Sequence, residues 1–280
     1  MLLASSCVYK KLIFNNLDWL VVYQLDSYFD LTTAQEKQIK IPVHETVAWL
    51  KAEKLPLIII LLRDIQATAE TRKIDAESYD RWNGQVSIWR QEIAERVAPP
   101  LGHLFKQLDA DQMQHLDAKL EKGDRNLISL LERSDSEFPE EFADYVDEAT
   151  SGLKFWVGKL RKPQKQLLVE KLGWNRALLS EQLKQRRRSR EYWSSLFKKQ
   201  DLAALTTAIK TSSEPNGGWN DPEYRRFRQT GRDRWRNALL ALFASLDQEQ
   251  WQHLDKVLLE LVVDLEKLNL SQVKIEKTPA

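Results

Sequence analysis

One cysteine, Cys7, is all the thiol this 280-residue chain has. It can close no internal disulfide, and its place near the terminus leaves no Cys/His nucleophile arrangement to build. Long apolar runs are missing as well: the longest, Leu57 to Leu62, is far short of the roughly 18 residues that span a bilayer. Glycine and proline number nine each, which excludes collagen-like and low-complexity classes. The four histidines, His44, His103, His115 and His253, form neither HExxH nor an i,i+4 pair, so a zinc site has no support. There is no phosphate-cradling glycine motif and no GxSxG, and Gly217-Gly218 reads as a turn. The expectation is a non-enzymatic protein with no catalytic residue, no metal and no cofactor. A net charge of only +1 also argues against a general nucleic-acid binder.

What is present is helix. Apolar residues recur at three- and four-residue spacing, as at Leu239, Leu242, Phe243 and Leu246, and the alternating period of strands is almost absent. "IIILL" within Leu57 to Leu62 has no second strand to pair with, so it is predicted to be a buried helix segment. Breaks are expected near Pro42, Pro56, Pro99-Pro100, Gly123, Pro139, Gly173 and the 212–223 loop. "LTTAQ" at 31–35, "LDADQ" at 108–112 and "LDQEQ" at 246–250 each set Thr or Asp three residues before Gln, the spacing of a capping box, behind a leucine that can serve as the staple. "IDAES" at 74–78 and "LRKPQ" at 160–164 are weaker versions. Each start predicts the second arm of a helical hairpin.

Two of the starts are more alike than capping requires. "LDADQMQHLDAKL" at 108–120 and "LDQEQWQHLDKVL" at 246–258 align without a gap at an offset of 138 residues, and 89–120 against 227–258 share 14 identities. This points to an internal duplication. The predicted fold is all-α, an elongated multi-helix bundle of helical hairpins. Residues 1–16 form a tether, 17–268 a single domain of two related units (about 17–140 and 141–268), and 269–280 a flexible tail.

Charge divides along the chain. Residues 1–150 hold 17 Lys and Arg against 26 Asp and Glu, a balance of −9, while 151–280 hold 25 against 15, a balance of +10. Such halves either attract one another or offer two faces to partners. The basic segments are "KQRRRSR" at 184–190 and "YRRFRQTGRDRWR" at 224–236. On a helix, Arg225, Arg228, Arg232 and Arg236 share one face, and Phe227, Gly231, Trp235, Ala238 and Leu242 share the next. The aromatics are then expected in the core. The arginines are a candidate anion or partner surface, open to the acidic run at 134–148 or to an anionic glycolipid or polymer. Ten tryptophans fit helix packing or a binding groove, and the sequence does not separate the two.

Leu3-Ala4-Ser5-Ser6-Cys7 is a hydrophobic and small-residue approach to a lone cysteine, and it resembles the lipobox of bacterial lipoproteins. With "FNNLDWL" at 14–20 and "YQLDSYFDL" at 23–31, the opening is similar to a family of all-helical lipoproteins of unknown function in Gram-negative bacteria. Those members carry a lipobox Cys followed by Y-N-N-L-D-W-L; here Phe14 replaces the Tyr, and Ala4 stands where an aliphatic residue is commoner. The resemblance covers about the first 35 residues. It implies lipid on Cys7, a signal peptide upstream of Met1, and, with Val8 rather than Asp after the cysteine, the periplasmic face of the outer membrane. It assigns no catalytic residue. The expected function is that of an envelope structural or interaction factor, with an envelope protein or anionic glycolipid as partner. "LTTAQ" also resembles the L-T-x-x-Q motif of periplasmic envelope-stress chaperones, which gives the alternative of a chaperone-like holder of unfolded envelope proteins.

Overall fold

The computed structural model describes residues 16–214 and 221–276, with side chains described up to Leu270. Within these residues the chain is all helical: α1 (Leu17–Phe29), α2 (Thr33–Trp49), a π-helical stretch (Leu50–Lys54), α3 (Leu55–Glu70), α4 (Ala76–Lys106), α5 (Ala110–Glu132), α6 (Phe138–Ala149), α7 (Leu153–Val157), α8 (Lys162–Leu172), α9 (Arg176–Lys199), α10 (Leu202–Ser212), α11 (Pro222–Ala244) and α12 (Gln248–Glu276). Helix starts fall where side-chain oxygens can accept the orphan N–H groups of a first turn. Thr32, Asp75, Asp109, Asn175, Asp201 and Asp221 all do so.

Several expected breaks are absent. Pro42 lies inside α2, Pro99-Pro100 inside α4 and Gly123 inside α5. An interior proline costs a helix about 3 kcal/mol or more, yet burial on either side offsets it in α4. There Ala98 and Leu104 are fully buried, and Gly102 lies so close to α10 that an added Cβ would sit 2.5 Å from the Thr206 hydroxyl. Pro56 widens the helix without ending it. A proline ring clashes with the carbonyl four residues back, and the turn before Pro56 opens to π spacing, with the Leu55 N–H donating to the Leu50 carbonyl. Gly173 does end α8, in the left-handed conformation (φ 66°) that glycine adopts without steric cost. At the other end, α12 stays helical through Glu276, well into the segment expected as a tail.

The packing interlocks the two halves of the sequence. Helix α3 runs antiparallel to α12, tied by Arg72 to Asp255 at one end and Arg63 to Glu266 at the other, over Leu55, Ile59, Leu258, Val262 and Leu265. Helix α10 packs along α4. Each fully buried leucine contributes about 1.5–3 kcal/mol, and many of these leucines face a helix from the other half.

Within this body one arrangement of bonds occurs twice. Helices α1, α2, α4 and α5 make the first, and α7, α8, α11 and α12 the second. The Gln35 and Gln112 amides donate to each other's oxygen at 3.1 and 2.8 Å, and Gln112 also donates to the Asp30 carbonyl. The Gln164 and Gln250 amides do the same at 2.7 and 2.9 Å, and Gln250 also donates to the Lys159 carbonyl. His115 Nε2 lies 3.2 Å from the Ser27 carbonyl and His253 Nε2 lies 3.1 Å from the Phe155 carbonyl. Both α1 and α7 end on a residue with positive φ, Asp30 and Gly158.

Candidate functional site

A cavity of about 1310 Å³ opens between these two arrangements, with α9 along one side. Tyr28 and Phe29 reach it from α1, Tyr79 and Asp80 from α4, Asp124 from α5, Tyr145 from α6, Arg186, Arg190, Trp193 and Phe197 from α9, and Phe227, Arg228, Arg232, Trp235 and Arg236 from α11. Two helical glycines also line it. At Gly123 and Gly231 an added Cβ would meet nothing within 4 Å, so both positions hold open volume.

Three of the four arginines on the sequence-derived face, Arg228, Arg232 and Arg236, belong to this cavity, and Arg225 is not among its lining. Their roles differ. Arg236 is neutralised by Asp80 of α4 through two bonds of 2.6 Å, the forked geometry that matches a guanidinium to a carboxylate. Arg228 donates to the Tyr224 hydroxyl at 3.3 Å and stands 5.8 Å from that ring. Arg232 donates to Gln229, while its other terminal nitrogen, Nη1, is buried with no hydrogen-bond partner in the protein. Burial, with Arg228 and Arg90 nearby, holds the Arg232 pKa below its usual value.

The second basic segment is largely engaged by acids. Asp124, nearly buried, accepts from Arg186 at 2.9 Å and Arg190 at 2.7 Å. Lys184 and Arg188 hold Glu223 at 2.9 Å each, and Arg188 also holds the α11 N-cap Asp221. Arg190 Nε, however, is a second buried cavity-lining donor without a partner.

The acidic run makes its own pairs elsewhere, Asp135 with Arg176, Glu141 with Arg133 and Asp147 with Lys165. The acidic run and the arginine face therefore pair with different partners, and the charge of the arginines is cancelled only in part.

The face of α11 expected in the core divides. Ala238 and Leu242 are fully buried, and half-buried Trp235 packs against their cluster, edge-on to Trp174, while also lining the cavity; Phe227 and Gly231 line the cavity. A helical face near its packed end is core and farther along is wall, and no local pattern marks where one becomes the other. Among the described residues no group of three or more His, Cys, Asp or Glu side chains is gathered that could hold a metal ion. No described helix is long and apolar enough to cross a membrane.

A second surface feature lies on α1. Trp19 and Tyr23, 63% and 53% exposed, stack on each other with centroids 5.3 Å apart. An apolar groove of about 310 Å³ runs beside them along Leu20, Val21, Leu25 and Tyr28. Cys7 lies outside the described residues. Comparison of the chain with protein-family models, curated proteins and solved structures finds no match.

Proposed function

We propose that the protein is a non-enzymatic lipoprotein, tethered through Cys7 to the periplasmic face of the outer membrane, that works as a structural or interaction factor of the envelope. The observation that supports this reading is the exposed Trp19–Tyr23 stack on the first helix, 12 residues beyond the lipobox-like cysteine. Aromatic rings with an apolar body and a polar edge favour the membrane–water boundary. Beside a lipid anchor they would lay α1 against the bilayer. A single acyl chain binds reversibly, and further apolar contact strengthens the hold.

The test is metabolic labelling with an alkynyl fatty acid, in cells expressing the chain behind a lipoprotein signal sequence joined ahead of Cys7. Label on the wild type, its loss in Cys7→Ser, and release of that variant from the membrane fraction are expected. Wild-type protein found unlabelled and soluble would overturn the reading.

The alternative of a chaperone-like holder of unfolded envelope proteins is favoured by the aromatic wall of the large cavity, with the "LTTAQ" start joined to a second such start across Gln35 and Gln112. Suppression of aggregation of a denatured outer-membrane protein at stoichiometric ratio is its measurement, and absence of suppression removes it.

A further inference from the structure

We propose that the cavity between α4, α5, α9 and α11 is a binding site for an amphiphile that carries a phosphate group. Three observations lead there. The first is volume: about 1310 Å³ exceeds the roughly 300–1,000 Å³ of an ordinary small-molecule pocket, enough for a chain or ring system as well as a headgroup. The second is the wall, where Tyr28 and Trp193 on one side and Phe227 and Trp235 on the other, backed by the buried rings of Phe105, Phe197 and Trp174, give the ligand's body an aromatic surface. The third is the state of the cations. Asp80 neutralises Arg236, and Asp124 answers Arg186 and Arg190, but Arg228 and Arg232 stand together without a carboxylate bonded to either guanidinium.

The chemistry of those donors selects phosphate. Arg232 Nη1 and Arg190 Nε are buried in the cavity lining with no partner, on two different helices. A buried donor left unmade costs about 1–3 kcal/mol, more where it belongs to a charged group. Both atoms are closed to solvent as the side chains stand, so an anion in the cavity meets them only as the two guanidiniums turn toward it, and the bonds then made recover that loss. A carboxylate brings one charge and two oxygens; a phosphate monoester brings up to two charges and three terminal oxygens, which suits more than one guanidinium. The open volume at Gly231 lies in the same helix, one residue before Arg232. Glycine in a helix interior is unfavourable, and here it keeps the cavity clear beside a guanidinium with no carboxylate bonded to it.

The test is calorimetric titration of the purified chain with dodecyl phosphate below its micelle concentration, beside inorganic phosphate, dodecanoate and dodecyl maltoside. Saturable binding of dodecyl phosphate is expected, tighter than the other three. Arg232→Gln and Arg228→Gln each weaken it, Arg232→Gln by about tenfold or more, and Gly231→Leu blocks it by occupying the open volume. Thermal unfolding of each variant without ligand shows that it is folded; should one fail, the other two carry the test. Equal affinity for dodecyl maltoside would make the cavity a purely apolar groove. Equal affinity for inorganic phosphate would remove the amphiphile, and equal affinity for dodecanoate would remove the phosphate. Unchanged binding in both arginine variants would overturn the site.

Discussion

Gln164 and Gln250 lie 86 residues apart in sequence and exchange amide hydrogen bonds in the core. Each oxygen also accepts a backbone N–H from its own helix start, Arg161 or Asp247. Each nitrogen also donates to a carbonyl beyond the pair, Ser245 or Lys159. A buried amide so fully bonded fixes two helix N-termini against each other. Gln250→Ala strands buried donors and acceptors on Gln164 and the backbone, and is expected to cost about 1–3 kcal/mol by urea unfolding. A double-mutant cycle with Gln164→Ala should show coupling of about 0.5 kcal/mol or more; strictly additive losses would mean that the two amides do not cooperate.

The two clasps repeat the same bonds, and equal consequences should follow in each. Asp109→Ala and Asp247→Ala both remove a side chain that accepts from the N3 amide, at 2.9 Å in either case. Each should cost about 0.5–2 kcal/mol. Asp247→Ala should lie toward the upper end, because Arg161 also binds Asp247 at 3.0 Å. A negligible effect at one site beside a large one at the other would show that the two clasps differ in what holds them.

Two helical glycines should respond with opposite sign. Gly231→Ala places a methyl in open space and is expected to stabilise the chain by about 0.5–1 kcal/mol. Gly102→Ala drives a methyl to 2.5 Å from the Thr206 hydroxyl and should destabilise by about 1–3 kcal/mol as α4 and α10 are pushed apart. Differential scanning calorimetry separates the two outcomes by the direction in which Tm moves.

Acid should weaken the α3–α4 contact. The Trp82 indole N–H, 2.6 Å from Asp64, and the Arg81 guanidinium hold the Asp64 carboxyl below its ordinary pKa. A carboxylate depressed in the folded state stabilises fully above its unfolded pKa, near 4, and that contribution fades as pH falls through this value toward the folded one. Unfolding free energy should therefore decline between about pH 5 and about pH 3. Asp64→Asn should make the decline shallower, and an unchanged slope would show that other carboxylates carry the effect. Asp64 is partly exposed, so the change is modest.

The sequence made the helices and several of their starts readable because capping is local: Thr32, Asp75, Asp109 and Asp247 act within three residues of themselves. It hid whatever depends on distant chain. Gln112 reads as the end of a capping box, and nothing nearby says that its amide also answers Gln35, 77 residues earlier. Pro99 and Pro100 read as a break because the helices that bury their neighbours are far along the sequence. The arginine face was legible as a face, but Asp80, which neutralises Arg236 from 156 residues away, was not. So the unequal state of Arg228, Arg232 and Arg236, on which the proposed site depends, emerges only from the fold.

The pairing of α3 with α12 has a consequence in time. At about 5–20 residues per second, the segment that covers Leu55 and Ile59 is synthesised roughly 10–40 s after them. Throughout that interval "LPLIIILL" has no lid, and folding cannot proceed unit by unit along the chain. Whatever machinery handles the nascent protein meets this apolar stretch bare, and a chain cut short anywhere before α12 would leave it so permanently.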